Sequence, residues 1–177
     1  MVAALVFALC QVSPTVAILP IINRTPEENE QVRREMVESV SGFLPKAFEA
    51  NGFQVVDFKA VDAALKDTGI DLEDEELHRR ETFLKIGEAI KVDYVYFSTI
   101  ESTGFFSANT GKATLRVWFL DVKGKGRILS ARAVQGEAKQ RLGASPKSSE
   151  VTATGRAAEQ SLKLILRLMN RSYTAPR

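Results

Sequence analysis

Cysteine, histidine and the common catalytic motifs are scarce in this chain of 177 residues. The single cysteine, Cys10, has no partner with which to form an intrachain disulfide. The single histidine, His78, lies in a charged run at residues 78–81 of a predicted helix, where we expect it to be exposed. The chain contains no Gly-x-Ser-x-Gly and no serine followed three residues later by lysine. We therefore predict that the protein is not an enzyme.

Glycine is missing from the first predicted strand–helix junction, residues 22–28. A phosphate loop needs glycines there, so that backbone N–H groups can approach the anion. Thr25, Pro26 and Glu28 instead predict an N-cap, a first helical residue and a capping box. Glu27 and Glu28 would also repel an anion at the positive end of the helix dipole. We therefore expect a capped helix and no nucleotide site.

Signals for a metal or a cofactor are equally weak. The acidic run at residues 71–76 has Glu76 where a calcium loop needs its sixth-position glycine. The segment 104–112 superficially resembles a Walker loop, but six residues separate its glycines and Ala113 replaces the serine or threonine. We expect neither a metal nor a cofactor.

The apolar run at the N-terminus, residues 2–9, has the length of a signal-peptide core and is too short to span a bilayer. Residues 1–14 are therefore interpreted either as a signal remnant or as an apolar arm packed on the domain. In the first case Cys10 is a candidate lipidation site. We favour export to the periplasm or outer membrane, with the cytoplasm as the alternative.

The rest of the chain predicts a single α/β (α+β) domain at residues 15–170 and a tail at residues 171–177. The element order is β-α-β-α-α-β-β-β-α, which predicts a three-layer domain with a mixed five-stranded sheet flanked by helices. The first strand, residues 15–22, is apolar and typical of a central strand, although Pro20 should interrupt its pairing. Residues 123–126, Lys-Gly-Lys-Gly, predict the turn of the last hairpin.

Basic residues are concentrated in residues 112–147, although the net charge of the chain is only +2. This stretch carries nine Lys or Arg residues against Asp121 and Glu137. It predicts either a polyanion-binding surface, centred on the hairpin residues Lys123, Lys125 and Arg127, or a solvated hairpin whose charges discourage edge pairing. Nucleic acid is not the expected polyanion.

The segment between the third and fourth predicted strands, residues 102–111, is rich in glycine, serine and threonine and predicts a surface loop. Phe105 and Phe106 lie at its tip, where adjacent exposed aromatics are typical of a partner-binding site. The alternative is that one or both fold back to cap the sheet edge.

Four segments, taken in order, resemble the curli-secretion lipoprotein (CsgG-type) superfamily. That superfamily is similar in architecture to the amino-terminal domain of TolB and to periplasmic lipoproteins that activate penicillin-binding proteins. The segments are VAILPIIN at 16–23, NGFQVV with VDAALK within 51–66, IGEAIKVDYV at 86–95 and VWFLDVKGKG at 117–126. The resemblance covers about residues 15–170.

The resemblance implies a cell-envelope interaction module that binds a protein or cell-wall partner or associates with itself. Some members form pores, but the tight turn at 123–126 and the flanking Arg116, Arg127 and Arg132 leave no membrane-crossing strand pair here. No transmembrane pore is therefore expected. The alternative function is small-ligand or polyanion binding by the basic strands of residues 112–147.

Overall fold

The computed structural model describes residues 13–107, 110–140 and 145–176. The first half of the domain contains β1 (Thr15–Ile18), β2 (Ile22–Asn23), α1 (Glu30–Ser41), α2 (Leu44–Ala50), β3 (Gln54–Val55) and α3 (Phe58–Thr68). After a 3-10 turn at Glu75–Leu77 follow α4 (Arg80–Ile90), β4 (Tyr94–Ser107), β5 (Thr110–Asp121), β6 (Arg127–Lys139) and α5 (Pro146–Leu168).

The predicted mixed sheet is confirmed, with strand order β3-β1-β4-β5-β6. Strand β1 is parallel to β3 and β4, whereas β4, β5 and β6 are antiparallel. The short strand β2 continues the pairing of β1 along β4, from Ile22 opposite Thr99. Pro20 lies between β1 and β2, so the predicted interruption at this proline is also confirmed.

Alternating side chains of the sheet bury two separate cores, which gives the three predicted layers. Tyr96 belongs to the core under α1, α2 and α5, whereas Val95 and Phe97 belong to the core under α3 and α4. Among the described residues, none of the helices is long and apolar enough to cross a membrane.

The predicted start of the first helix was wrong. The N–H and hydroxyl of Thr25 both donate to Asn23 Oδ1, at 3.0 and 2.7 Å, and Thr25 is buried. Its hydroxyl is therefore used as a donor in a turn and does not cap a helix. Asn29 caps α1 instead, because its Oδ1 accepts the N–H of Gln31 at 3.0 Å.

Helix α5 lies unusually close to β5 and β6. A Cβ atom added at Gly136 would overlap the carbonyl oxygen of Ala153 and the nitrogen of Ala157, and would lie 2.9 Å from the Cα of Ala157. A Cβ atom at Gly111 would lie 2.5 Å from the carbonyl carbon of Ser149. Three buried alanines line the same contact: Ala113, Ala138 and Ala153. The helix can approach the sheet this closely only because both surfaces carry small residues.

Two glycine substitutions test this contact and are expected to act in opposite directions. Gly136→Ala should lower the free energy of unfolding by about 1–3 kcal/mol, because the added methyl meets backbone atoms that cannot move aside. Gly155→Ala, within α5, places its Cβ atom at an ordinary 3.7 Å from the carbonyl oxygen of Ser39. It should raise stability by about 1 kcal/mol, because glycine is a poor helix former. Urea unfolding measures both changes in stability. Equal effects of the two substitutions would contradict the close contact at Gly136.

Candidate functional site

The segment predicted as a surface loop, residues 102–111, is largely strand. Strand β4 continues to Ser107 and β5 begins at Thr110, and Phe105 pairs with Gly111. The loop prediction was wrong because cross-strand pairing and packing under α5 outweigh the low strand propensity of glycine and serine. The candidate partner-binding residues therefore lie on a sheet.

Among the residues that the structure describes, no strand pairs with the outer edge of β4 beyond Ile100. Strand β2 ends with Asn23 opposite Ile100, and Arg24 N–H then donates to the carbonyl oxygen of Ile100 at 2.9 Å. In the described part of the chain, residues 102–107 pair with β5 alone. We call residues 102–107 the distal edge of β4.

Backbone alternation identifies the groups that this distal edge presents. The carbonyl oxygen of Ile100 points away from β5, and the register shifts by one residue at Glu101. Because backbone groups alternate along a strand and the bulge inserts one residue, the N–H and C=O of Thr103 and Phe105 point away from β5. These groups can pair with an added strand.

Phe105 is the aromatic side chain of the distal edge. It pairs with Gly111, which contacts Ser149 of α5, so both residues face the α5 side of the sheet. Even so, 46% of its surface is exposed, so α5 does not bury it. The side chain of Phe106 lies outside the described residues, and the prediction for it stays a prediction.

A shallow depression of about 280 Å³ lies beside Phe105. Its lining is mainly polar and includes Ser102, Thr103, Lys112, Thr114 and Gln135. Hydroxyl and amide groups of this kind can accept and donate hydrogen bonds to side chains of a bound strand. The distal edge therefore combines backbone groups, the Phe105 side chain on the α5 face, and polar side chains of Ser102, Lys112 and Thr114 on the opposite face.

The basic hairpin turn is partly neutralised by acidic neighbours. The Lys123 ammonium contacts the carboxylate of Asp93, and the Arg127 guanidinium lies 3.8 Å from Asp121. Asp121 Oδ1 also accepts the N–H of Gly124 at 2.7 Å, which shapes the turn. Lys125 holds the turn through its backbone, because its carbonyl oxygen accepts from Arg80 Nη2 at 2.5 Å.

Other basic residues of the segment 112–147 form ion pairs with acidic residues that are distant in the sequence. Arg116 lies 3.3 Å from Glu75, which also pairs with Arg24 at 2.7 Å. Lys147 contacts Glu27, and this hydrogen bond lowers the pKa of Glu27 and raises that of Lys147. Four basic residues of this stretch, Arg116, Lys123, Arg127 and Lys147, therefore form separate ion pairs in the structure.

Asp93 joins the starts of β1 and β4 to the hairpin turn. Its Oδ2 accepts the N–H and the hydroxyl of Thr15 at 2.7 and 3.0 Å. Burial favours the neutral carboxyl group, but the hydrogen bonds from Lys123 and Thr15 outweigh burial. The pKa of Asp93 therefore lies below its ordinary value of 3.8.

This lowered pKa predicts a specific loss of stability in acid. The ionised Asp93 should stabilise the fold fully above about pH 4, and the stabilisation should disappear as the pH falls through the lower folded-state pKa. Asp93→Asn should lower the free energy of unfolding by roughly 1–2 kcal/mol at pH 7 and flatten its pH dependence below pH 4. Urea midpoints between pH 2.5 and 7 measure this.

Asp62→Asn is the matched control, because Asp62 forms an exposed pair with Lys66 on one helix. It should change stability by less than about 0.5 kcal/mol. Parallel pH profiles for the Asp93 variant and the unsubstituted protein would contradict the assignment.

Among the described residues, those considered for catalysis and metal binding do not form a site. His78 is half-buried rather than exposed as predicted, because its ring packs 4.7 Å from Phe97 and 5.3 Å from Trp118. Its Nε2 lies 2.8 Å from the carbonyl oxygen of Leu72. Residues 13–107, 110–140 and 145–176 contain no group of three metal-ligating side chains. Cys10 lies outside the described residues.

Sequence comparisons give no relative, whereas structure comparisons do. No protein-family model matches the chain, and no curated protein is significantly similar to it in sequence. The hypothetical protein CT253 from Chlamydia trachomatis is similar in structure, with a TM-score of 0.51 at 13% identity over 90% of this chain and 95% of that one.

Two further similar structures are a lipoprotein and a domain of LpoB. Lipoprotein GNA1162 from Neisseria meningitidis has a TM-score of 0.51 at 14% identity, over 89% of this chain and 99% of that one. The LpoB C-terminal domain from Escherichia coli has a TM-score of 0.47 at 18% identity, over 72% of this chain and 84% of that one. The chain therefore shares its fold with a lipoprotein.

Proposed function

We propose that the protein is a non-enzymatic interaction module of the cell envelope, which binds a strand of a protein partner along the distal edge of β4. The observation that carries this proposal is the unpaired edge at residues 102–107, with Phe105 46% exposed beside it. A second copy of the chain is one such partner, and self-association is therefore part of the proposal.

Strand addition suits this edge for a physical reason. An unpaired strand edge presents N–H and C=O groups that an extended segment can satisfy, and proteins usually block such edges with charges, prolines or covering elements. The distal edge has a serine, a threonine, a glycine and two phenylalanines within residues 102–106. Aromatic side chains often contribute most of the energy of an interface. Phe105 is therefore assigned as the anchor and the backbone of Thr103 as the pairing group.

Location in the envelope is supported by the fold and by the N-terminal sequence. Lipoprotein GNA1162 has the same fold, and the apolar run at residues 2–9 precedes Cys10. The resemblance to the CsgG-type superfamily supports the same location. We assign the protein to the periplasm or the outer-membrane surface, with Cys10 as the lipid attachment site.

Polyanion binding by Lys123, Lys125 and Arg127 is the weaker alternative. Two of these side chains already contact Asp93 and Asp121. A polyanion would have to compete with those carboxylates and would meet their negative charge. The ion pairs therefore favour the solvated-hairpin interpretation of the basic stretch.

Two substitutions in the distal edge test the proposed function. Phe105→Ala should weaken partner capture or self-association about thirtyfold, equivalent to about 2 kcal/mol, while thermal stability changes little. Thr103→Pro should weaken strand addition as well, because it removes one outward-pointing donor without removing a hydrogen bond to β5. Sedimentation velocity measures self-association, and capture from envelope extract on the immobilised protein measures other partners.

Ile128→Ala is the matched control, since Ile128 is a similarly exposed apolar residue on β6 at 42%. It should leave sedimentation and capture unchanged. If both distal-edge variants associate and capture like the unsubstituted protein, the partner surface lies elsewhere. A large loss of thermal stability in Phe105→Ala would show that this side chain belongs to the core.

A further inference from the structure

A cavity of about 460 Å³ opens between the carboxyl ends of β1 and β3. The two strands are neighbours, but the segments that follow them turn to opposite faces of the sheet. Strand β1 leads to α1 and α2, which pack with α5, whereas β3 leads to α3, which packs with α4. In open α/β sheets, ligands bind in the crevice that such a divergence creates.

The wall of this cavity is largely apolar. It is formed mainly by aliphatic residues at the ends of the two strands: Ile18, Leu19, Pro20, Ile21, Val55 and Val56. Leu19 and Ile21 are buried, so part of the wall is continuous with the protein core. The volume lies in the range of small-molecule sites.

Phe58 also lines the cavity, and 62% of its surface is exposed. Its backbone is placed by the helix cap, because Asp57 Oδ1 accepts the N–H of Lys59 at 2.7 Å immediately before the first turn of α3. An exposed aromatic ring beside an apolar cavity is suited to cover a bound apolar group.

The charged residues among those lining the cavity are both acidic. Glu49 comes from α2 and Asp57 is the N-cap of α3, so the two acidic residues reach the cavity from different helices. The remaining polar side chain of the lining, Ser41, donates its hydroxyl to the carbonyl oxygen of Val37. A ligand with an apolar body therefore meets an aliphatic wall, and its head group meets negative charge.

We infer that this cavity binds a small amphipathic cation, with its alkyl or aromatic body between β1 and β3 and its cationic group near Glu49 and Asp57. The inference goes beyond the proposed function, because none of the cavity residues belongs to the distal edge of β4. Either one can therefore fail without the other.

Three probes with the same eight-carbon chain test the class of ligand: octylammonium, octanol and octanoate. Calorimetric titration of the full chain should give the affinity order octylammonium, then octanol, then octanoate. In methyl NMR spectra, the resonances of Ile18, Ile21 and Val55 should shift when a probe binds. Octanol or octanoate binding as tightly as octylammonium would overturn the cationic class, and no saturable binding of any probe would overturn the site.

Substitutions at the rim separate the two parts of the recognition. Phe58→Ala should lower the affinity for all three probes about tenfold, because it removes one apolar wall of the cavity. The double variant Glu49→Gln with Asp57→Asn should lower the affinity for octylammonium about fivefold and leave the affinity for octanol unchanged. Asparagine preserves the helix cap at position 57, so this variant should fold normally.

Leu168→Ala is the control for a general loss of apolar surface, since Leu168 is 45% exposed at the end of α5 and does not line the cavity. It should leave the affinity for octylammonium unchanged. Methyl shifts confined to residues outside the cavity, or equal weakening by the Phe58 and Leu168 variants, would overturn the assignment.

Discussion

The close contact of α5 with β5 and β6 is the interaction on which the rest of the architecture depends. Gly136 and Gly111 allow the helix to lie almost on the backbone of the sheet. Where α5 crosses β4, the Tyr96 and Ser161 hydroxyls form a buried hydrogen bond of 3.0 Å. The far end of the sheet consists of β4, β5 and β6 alone, and a small sheet of this kind needs a packed helix or a buried face to be stable in water. Helix α5 covers one face of these strands and does not pair with the distal edge of β4.

Ion pairs and charged hydrogen bonds connect the ends of the strands to neighbouring turns and helices. Asp93 joins Thr15, Lys123 and the start of β4, and Glu75 joins Arg24 to Arg116. These contacts give the basic residues of the hairpin structural partners. Part of the positive charge of this stretch is therefore balanced by acidic side chains that lie elsewhere in the sequence.

Features encoded by a few neighbouring residues could be predicted from the sequence. Pro20 divides the first strand, Gly69 ends α3 with a φ of 64°, and the turn after β5 forms where its glycines predict it. A local competition was also missed, because the Thr25 hydroxyl donates to Asn23 two residues earlier and so does not cap a helix. Features that depend on distant partners could not be predicted: residues 102–107 become strand because β5 pairs with them and α5 packs nearby. The cavity joins segments about 37 residues apart, so no local pattern marks it.

Hydrogen exchange at single backbone amides tests the central claim, an open edge on β4, without any knowledge of the partner. In the dilute free protein, the amides of Thr103 and Phe105 should exchange at least about tenfold faster than those of Ser102 and Gly104, which bond to β5. The same two amides should become protected when a partner or a second copy binds. Equal protection of all four amides in the free protein would show that the edge is already covered, and would contradict the account.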